Sequence, residues 1–334
     1  MKEKIRVSTG SAAVLGLRGA RLDDAPTTVY LLAGGRCAVD CAFCTQARTS
    51  ASPDGFLSRV VWPEFEPEHV LQALGAVARH PSRLKRVCVQ ATRTSRARSM
   101  LRWLIPALDA VRRDCGAGVG DGRIQISVSH HASSVEEVRE ILALGADAIG
   151  IALDAACADV HARTKPGSWE GTVSLLEEAA GLFPGRISTH LIVGLGETEE
   201  DLVRVMRRLT DSGVTIGLFA FTPVRGTAME DVPQPPIGTY RRVQLARHII
   251  VNRLWDVEGF RFSDGRITGF GAEREKLLEI ARTGKPFETS GCPGCNRPYY
   301  NECPGGTMYN YPRSLTCAEI EKALCEVGLA EGSR

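Results

Sequence analysis

The sequence predicts an α/β fold, a TIM-type (β/α)8 or near-complete βα barrel, and three observations lead to it. From about residue 27 onward, short apolar runs rich in β-branched residues alternate with amphipathic stretches. Apolar runs rich in β-branched residues are typical of buried parallel strands. A helix-like segment or a loop follows each run, as in consecutive βα units. An open doubly wound sheet is the alternative architecture for the same pattern.

Seven apolar runs are predicted to be strands. In chain order they lie at residues 27–33, 84–90, 123–128, 147–153, 186–193, 214–221 and 259–263. A weaker eighth candidate lies near residues 287–290. We therefore expect a leader at 1–26 that packs on the barrel, the barrel itself at 27–285, and a C-terminal segment with an auxiliary metal site and a helix at 286–334.

Helices are predicted between the strands. Ser134 and Glu137 match the S-x-x-E capping box at a helix start, and Gly145 is a typical helix end. Similar amphipathic periods cover residues 197–209 and 239–254. Residues 284–312 are rich in Gly, Pro, Cys, Asn and Tyr without a period, which indicates an irregular, site-forming tail.

Composition excludes several classes of protein. The 334 residues carry a formal net charge of only +2, which gives no electrostatic sign of nucleic-acid binding. Charged residues interrupt every long apolar run, so no membrane span is expected. The charged N-terminus lacks the apolar stretch of a secretory signal, and a cytoplasmic location is expected. Disulfides are rare in that compartment, so 11 cysteines indicate metal binding.

Three cysteines stand in one short loop after the first predicted strand. They are Cys37, Cys41 and Cys44, in the spacing C-x3-C-x2-C. Three thiolates on one loop can hold three irons of a [4Fe–4S] cluster and leave the fourth iron for a small molecule. A zinc site is the alternative, but structural zinc needs four ligands and this loop carries no fourth Cys or His.

This loop, with the aromatic Phe43 just before its last cysteine, resembles that of the radical S-adenosylmethionine (SAM) superfamily. The resemblance implies that SAM chelates the open iron and is cleaved to a 5′-deoxyadenosyl radical. It also implies a cofactor-binding role for Phe43. Residues 190–197 are similar to the family's G-x-I-x-G-x-x-E segment, with His190 in place of the first glycine. In the family this segment helps to seat adenine, which implies such roles for Ile192, Gly194 and Glu197.

A second family motif is replaced. The Gly-Gly-Glu that receives the methionine amino group of SAM is absent, and Val89-Gln90-Ala91-Thr92 occupies its place. By position, Gln90 and Thr92 are the candidates for this contact, through backbone carbonyls. Asp154, at the end of a predicted strand, is a candidate partner of the SAM ribose or of the substrate.

Over roughly residues 25–275 the order and spacing of motifs resemble biotin synthase. That enzyme holds a further [2Fe–2S] cluster inside its barrel, with three Cys and one Arg as ligands. Cys88 and Arg261 match two of these positions, whereas Ser127 and Ser188 stand at the other two. Serine is a poor ligand for such a cluster, so we expect this inner cluster to be absent and Cys88 to be a buried apolar residue.

A second cysteine cluster lies in the tail. Cys292, Cys295 and Cys303 form C-x2-C-x7-C in a frame rich in Pro and Gly. An auxiliary [4Fe–4S] cluster is one interpretation, and a zinc site with Cys317 as fourth ligand is the other.

The tail Cys-Pro-Gly-Cys-Asn-Arg-Pro-Tyr-Tyr-Asn-Glu resembles that of the biotin-synthase-like subunits of two-component lipoyl synthases. The resemblance implies that sulfur from the auxiliary cluster is inserted into an octanoyl chain on a carrier protein or peptide. It also implies a second lipoyl synthase subunit and an electron donor such as ferredoxin or flavodoxin. The alternatives are a radical SAM mutase, lyase or hydrogenase maturase without sulfur transfer, and a zinc-stabilised interaction protein.

Overall fold

The computed structural model describes residues 3–79, 84–114, 123–298 and 306–330. The strands are β1 (Ile5–Val7), β2 (Thr28–Ala33), β3 (Phe56–Leu57), β4 (Val60–Val61), β5 (Glu64–Phe65), β6 (Arg86–Ala91), β7 (Gln125–Ser129), β8 (Ala148–Gly150), β9 (Ile187–Val193), β10 (Thr215–Ala220), β11 (Phe260–Ser263) and β12 (Arg266–Phe270).

The helices are α1 (Thr9–Val14), α2 (Pro67–Ala78), α3 (Ser95–Asp114), α4 (Val135–Ala143), α5 (Ala158–Thr164), α6 (Trp169–Leu182), α7 (Glu199–Asp211), α8 (Ile237–Val251), α9 (Arg274–Arg282) and α10 (Cys317–Val327). Two 3-10 turns lie at Val257–Gly259 and Lys285–Phe287. Among these described helices, none is long and apolar enough to cross a membrane.

Eight strands form the main sheet, in the order β10-β9-β8-β7-β6-β2-β1-β5. The six strands from β2 to β10 in this row are parallel, and one or more helices precede each following strand. The α/β fold and its βα barrel-like architecture are therefore confirmed. The predicted leader contributes β1, which pairs antiparallel with β2, and the division of the chain at residues 26 and 285 stays a prediction.

The seventh predicted strand is present, but its expected place in the barrel is wrong. It is β11, which pairs antiparallel with β12 in a separate hairpin. Asp264 and Gly265 connect the two strands, with φ of 49° and 73°. Two consecutive residues at positive φ give the mirror-image turn that joins hairpin strands, and Asp-Gly is typical of it. The eighth candidate is also wrong, because residues 285–287 form a 3-10 turn and Glu288 makes only an isolated bridge to Tyr311.

Side chains alternate between core and barrel interior along β6. Val87 and Val89 are fully buried in the main hydrophobic core, whereas Arg86, Cys88 and Gln90 line an interior cavity. Successive side chains of a strand point to opposite faces, so this alternation follows from the strand itself. Burial of each such valine stabilises the fold by about 1.5–3 kcal/mol, and the strand thereby holds its polar residues toward the cavity.

The tail connects the two ends of the row of parallel strands. At the edge strand β10, the backbone N–H of Leu218 donates to Ser290 Oγ at 2.9 Å, and Gly217 lies directly against Gly291. At the start of β2, the backbone N–H of Thr27 donates to Asn296 Oδ1 at 2.9 Å. Residues 290–297 therefore reach from the last parallel strand to the first, beside the interior cavity.

Candidate active site

A cavity of about 300 Å³ lies inside the set of parallel strands. Its wall takes residues from all six parallel strands, from the loop after β2 and from the tail. Six cysteines line it, namely Cys37, Cys41, Cys44, Cys88, Cys292 and Cys295. The fold thus brings the loop cysteines and the tail cysteines to one chamber.

The loop after β2 presents the first three cysteines to this chamber. Cys37 and Cys41 are buried and Cys44 is half-buried. The backbone N–H of Cys37 donates to the carbonyl of Gln46 at 2.8 Å, which closes the loop. At the loop's start Gly34 has φ of 92°, and a Cβ there would lie 2.4 Å from Thr92 Oγ1. Only glycine fits this close approach of the loop to the end of β6.

The donor set of the loop fits a [4Fe–4S] cluster. The backbone N–H of Arg93 donates to Cys37 Sγ at 3.2 Å, and that of Val39 donates to the same sulfur at 3.5 Å. Such bonds stabilise thiolates and tune iron–sulfur clusters. Burial raises the pKa of Cys44 to about 11 and also raises the pKa of Cys41. These thiols therefore ionise when a bound cation compensates the burial.

Within the described residues, no three Cys, His, Asp or Glu side chains converge on a single metal ion. In an iron–sulfur cluster each thiolate binds a different iron, so its ligands are spread more widely than the four ligands of one zinc ion.

Asp154 is held by two basic side chains. Its carboxylate lies 2.7 Å from Lys165 Nζ and 2.7 Å from His190 Nε2. Burial would raise the pKa of Asp154, but Lys165 and His190 outweigh it and hold this pKa below its usual range. Asp154 has φ of 66° and lines the cavity. The expected contact with SAM or substrate stays a prediction, and in this arrangement Asp154 orients the lysine and the histidine.

The other predicted SAM-binding residues fall into two groups. Phe43, Gln90, Thr92 and Ile192 line the cavity, where a contact with SAM is sterically possible. Gly194 and Glu197 are not part of its lining.

Glu197 holds the turn that follows β9. Its carboxylate accepts the backbone N–H groups of Gly194 at 2.6 Å and Leu195 at 3.0 Å. Burial raises the pKa of Glu197. Gly194 has φ of 105°, and a Cβ there would lie 2.9 Å from Pro235. Both residues therefore shape the end of β9, and their expected role toward adenine stays a prediction.

Two histidines line the cavity wall beside β7. Burial and then the positive charge of Lys165 lower the pKa of His131 to about 4, so this imidazole is neutral at pH 7. His130 Nε2 lies 2.9 Å from Glu137 Oε1.

The predicted capping box at the start of α4 is formed only in part. Ser134 caps the helix, because its hydroxyl accepts the backbone N–H of Glu137, but the Glu137 carboxylate accepts the backbone N–H of Ser133.

The tail places Cys292 and Cys295 in the cavity, and Cys303 lies outside the described residues. Tyr30 Oη lies 3.0 Å from Cys295 Sγ, and a side-chain hydrogen bond joins Cys292 to Ser188. Cys317, the fourth ligand of the zinc alternative, is exposed at the start of α10. The auxiliary cluster stays a prediction.

The positions that match the inner cluster of biotin synthase separate in space. Cys88, Ser127 and Ser188 line the cavity, whereas Arg261 is exposed on the hairpin strand β11. Burial and the neighbouring Cys292 raise the pKa of the Cys88 thiol. Cys88 is half-buried and packs against the small hydrophobic cluster of Tyr30, Leu32 and Trp62, and two further cysteines lie near it. Its expected role as an apolar residue stays a prediction.

Three residues of the site were missed at the level of sequence. Arg86, Lys165 and Arg297 all contribute charge at or next to the cavity. Arg86 stands two residues before Cys88, so the strand alternation was a usable signal for its inward direction. For Lys165 and Arg297 the sequence carried no such signal, because their partners lie on other elements.

Two solved structures similar to this chain are hydrogenase maturases. HydG, a maturase of the [FeFe]-hydrogenase, superposes with a TM-score of 0.52 and 12% identity over 67% of this chain and 50% of that chain. HydG from Carboxydothermus hydrogenoformans gives a TM-score of 0.51 and 13% identity over 68% of this chain and 51% of that chain. This chain spans about half the length of these relatives, and the likeness shows the fold alone. No curated protein matches the sequence.

The Radical SAM superfamily model matches residues 31–209. This range is more than half of the 334 residues and contains the cysteine loop together with β6 and β9. A [4Fe–4S] cluster and SAM are the cofactors that this family implies, and the donor set of the loop fits the cluster. The chain belongs to the radical SAM superfamily, as the spacing of Cys37, Cys41 and Cys44 predicts.

Proposed function

We propose that this enzyme inserts sulfur into an unactivated C–H bond of a protein-bound octanoyl chain, as one component of a lipoyl synthase. One observation carries the proposal: the loop cysteines and the tail cysteines line the same cavity. A radical formed at the loop and a sulfur donor held by the tail would both have access to one substrate. The likeness of the tail sequence to two-component lipoyl synthase subunits supports the choice of substrate.

The bound cofactors supply a 5′-deoxyadenosyl radical at the loop after one electron arrives from a donor such as ferredoxin or flavodoxin. The chain's own residues do the rest. Cys37, Cys41 and Cys44 hold three irons and leave one for SAM. Gln90 and Thr92 are available to the methionine end of SAM at the end of β6.

The cavity between the two cysteine sets has apolar walls. Leu32, Val128 and Phe219 are among the side chains that line it. A fatty acyl chain matches such a surface, because its methylene groups gain about 0.8 kcal/mol each on leaving water. In the net reaction a C–H bond would be replaced by a C–S bond and the hydrogen would leave in 5′-deoxyadenosine. An auxiliary cluster would supply the sulfur, and its iron would take up the remaining electron.

Two partners belong to the proposal. The substrate is an octanoylated carrier protein or peptide, and a second lipoyl synthase subunit performs the other sulfur insertion. Both follow from the likeness of the tail to the two-component enzymes.

Anaerobic reconstitution followed by mass spectrometry tests the proposal. The protein should bind about eight irons per chain, since each of two cubane clusters holds four. An octanoyl-lysine peptide should gain sulfur in the presence of SAM and reductant. Cys292→Ala/Cys295→Ala should still cleave SAM but give no sulfur in the product, whereas Cys317→Ala should behave as the parent. A modified peptide without sulfur would instead favour a mutase, a lyase or a maturase-like enzyme.

A further inference from the structure

We propose that Cys88, on strand β6, is a ligand of the second iron–sulfur cluster, together with Cys292 and Cys295 of the tail. The inference deepens the proposed function and rests on it only for the use of the cluster as a sulfur donor. It changes the ligand set that the sequence spacing indicates, because that set contains tail cysteines alone.

The three cysteines meet at one part of the cavity wall. Tyr30 of β2 is the register partner of Cys88 in the parallel pair β2–β6. The hydroxyl of the same tyrosine lies 3.0 Å from Cys295 Sγ. Cys88 and Cys295 also pack against one small hydrophobic cluster, formed by Tyr30, Leu32 and Trp62. Cys295 therefore lies beside the strand pair at the level of Cys88.

Hydrogen bonds connect the tail to the strand that carries Cys88 and to the start of the neighbouring strand β2. Arg86, two residues before Cys88 on β6, points into the same cavity, and its Nη2 donates to the carbonyl of Pro293 at 3.3 Å. Pro293 is the residue after Cys292. Thr27 Oγ1 donates to the carbonyl of Gly294 at 2.5 Å, one residue before Cys295. Contacts from β2 and β6 therefore hold the Cys292–Cys295 turn against Cys88.

The charge of this region favours an anionic occupant. Arg86 is only 5% exposed, and its Nε has no hydrogen-bond partner among the described residues. Its described partners are neutral, the hydroxyl of Ser127 and the carbonyl of Pro293. A buried cation without a counter-charge is costly, and an unpaired buried donor marks a missing partner. Thiolates bound to iron supply this negative charge, and the thiol protons leave to solvent when the cluster binds.

Ser127 is a poor candidate for a ligand, because serine binds iron–sulfur clusters less well than cysteine. It is the register partner of Cys88 on β7, and its hydroxyl accepts a hydrogen bond from Arg86. Among the described residues, the Cys88 thiol accepts a hydrogen bond from the Gln90 amide at 3.1 Å, and its sulfur keeps a lone pair that can bind iron.

The test removes the first cluster and counts the iron of the second. A Cys37→Ala/Cys41→Ala/Cys44→Ala background, reconstituted without oxygen, should retain about four irons per chain if the second cluster is a cubane. Addition of Cys88→Ala should remove more than half of this iron, and Cys88→Ser should change the Mössbauer and EPR spectra. Cys317→Ala, at an exposed cysteine, is the matched control and should retain all of it. Full iron and unchanged spectra in both Cys88 variants would overturn the proposal.

A second measurement separates ligand loss from misfolding. In the otherwise native chain, Cys88→Ala should keep the first cluster, whose reduced EPR signal should still shift when SAM is added. The assignment of Cys88 as a ligand and the proposed function can be refuted independently. Cys88-dependent iron without sulfur in the peptide product would refute the proposed function alone, and sulfur transfer with Cys88-independent iron would refute the ligand alone.

Discussion

Asp154 is a buried carboxylate with two basic partners, each 2.7 Å away. Lys165 is also buried and donates a second hydrogen bond, to the carbonyl of Ala152. The lysine therefore depends on this carboxylate for its counter-charge. The pair stabilises the cavity wall only while both charges are present, since a single buried charge is strongly unfavourable.

We expect Asp154→Asn to lower the free energy of unfolding by about 3 kcal/mol or more, because it leaves the charge of Lys165 uncompensated. Asparagine tolerates the positive φ of this position, so backbone strain does not contribute. Asp211→Asn, in the more exposed pair with Arg207, should change it by at most about 1 kcal/mol. Equal effects of the two variants in denaturant titrations would contradict the role assigned to Asp154.

His131 should make stability depend on pH. Its folded pKa of about 4 lies below the unfolded value, so the unfolded state binds more protons between about pH 4 and 6.5. Stability from this residue is present above the unfolded pKa and is lost as the pH falls through the folded pKa. The loss should reach about 2–3 kcal/mol. Between pH 7 and 4, His131→Gln should therefore lose less stability than the parent protein, and parallel pH profiles would argue against a neutral buried imidazole.

At the scale of elements, the loop after β10 supports the cysteine loop. Gly226 has φ of 86°, and its carbonyl accepts the backbone N–H of Ala51 at 2.8 Å. Ser52 Oγ donates to the carbonyl of Arg225 at 2.6 Å. Arg36, beside Cys37, in turn donates to the carbonyl of Ser52 at 2.7 Å. A chain of contacts therefore runs from the end of β10 to the first cysteine.

Gly226→Ala should disturb this chain, because the added Cβ would lie 2.5 Å from the backbone nitrogen of Ser52. Gly213→Ala is the matched control, since Gly213 has a similar φ of 82° but nothing within 4 Å of the new Cβ. In this control, backbone strain alone should lower the free energy of unfolding by about 1–2 kcal/mol. Gly226→Ala should lower the free energy of unfolding further and should also reduce the iron bound at the cysteine loop. Equal iron content in the two variants would refute the proposed support of the cysteine loop by the loop after β10.

Local pattern was enough for the six parallel strands and for the cysteine loop. Continuous apolar runs mark buried strands, and C-x3-C-x2-C places three thiolates together without any knowledge of the fold. Strand count alone misplaces the hairpin of β11 and β12, because the Asp264–Gly265 turn that reverses the chain there does not enter such a count. No local sequence pattern predicts that Cys88 and Cys292 lie close together. Their proximity depends on the packing of the tail against strands that are distant from it in sequence.

At the scale of the whole molecule, the tail joins the two ends of the row of parallel strands. Arg297 is central to this contact, because its guanidinium lies 3.9 Å from the centre of the Phe219 ring on β10. It also donates to the carbonyl of Ser290 at 2.6 Å and to that of Leu218 at 3.3 Å. Repulsion from the nearby, half-buried Arg247 offsets part of the stabilisation that these contacts give. The pKa of Arg247 is lowered to about 10 by its desolvation and then by Arg297.

Arg297→Ala should therefore loosen the tail without unfolding the barrel. The lost cation–π contact and charged hydrogen bonds are together worth about 2–3 kcal/mol after the offset, which corresponds to roughly a hundredfold faster local opening. Hydrogen exchange should accelerate in residues 288–298 and in β10 but not in the loop at 37–46. Arg204→Ala, in an exposed pair with Glu200, should leave all three segments unchanged. If the tail holds the second cluster, the variant should also lose tail-bound iron faster than loop-bound iron, whereas equal rates would place that cluster elsewhere.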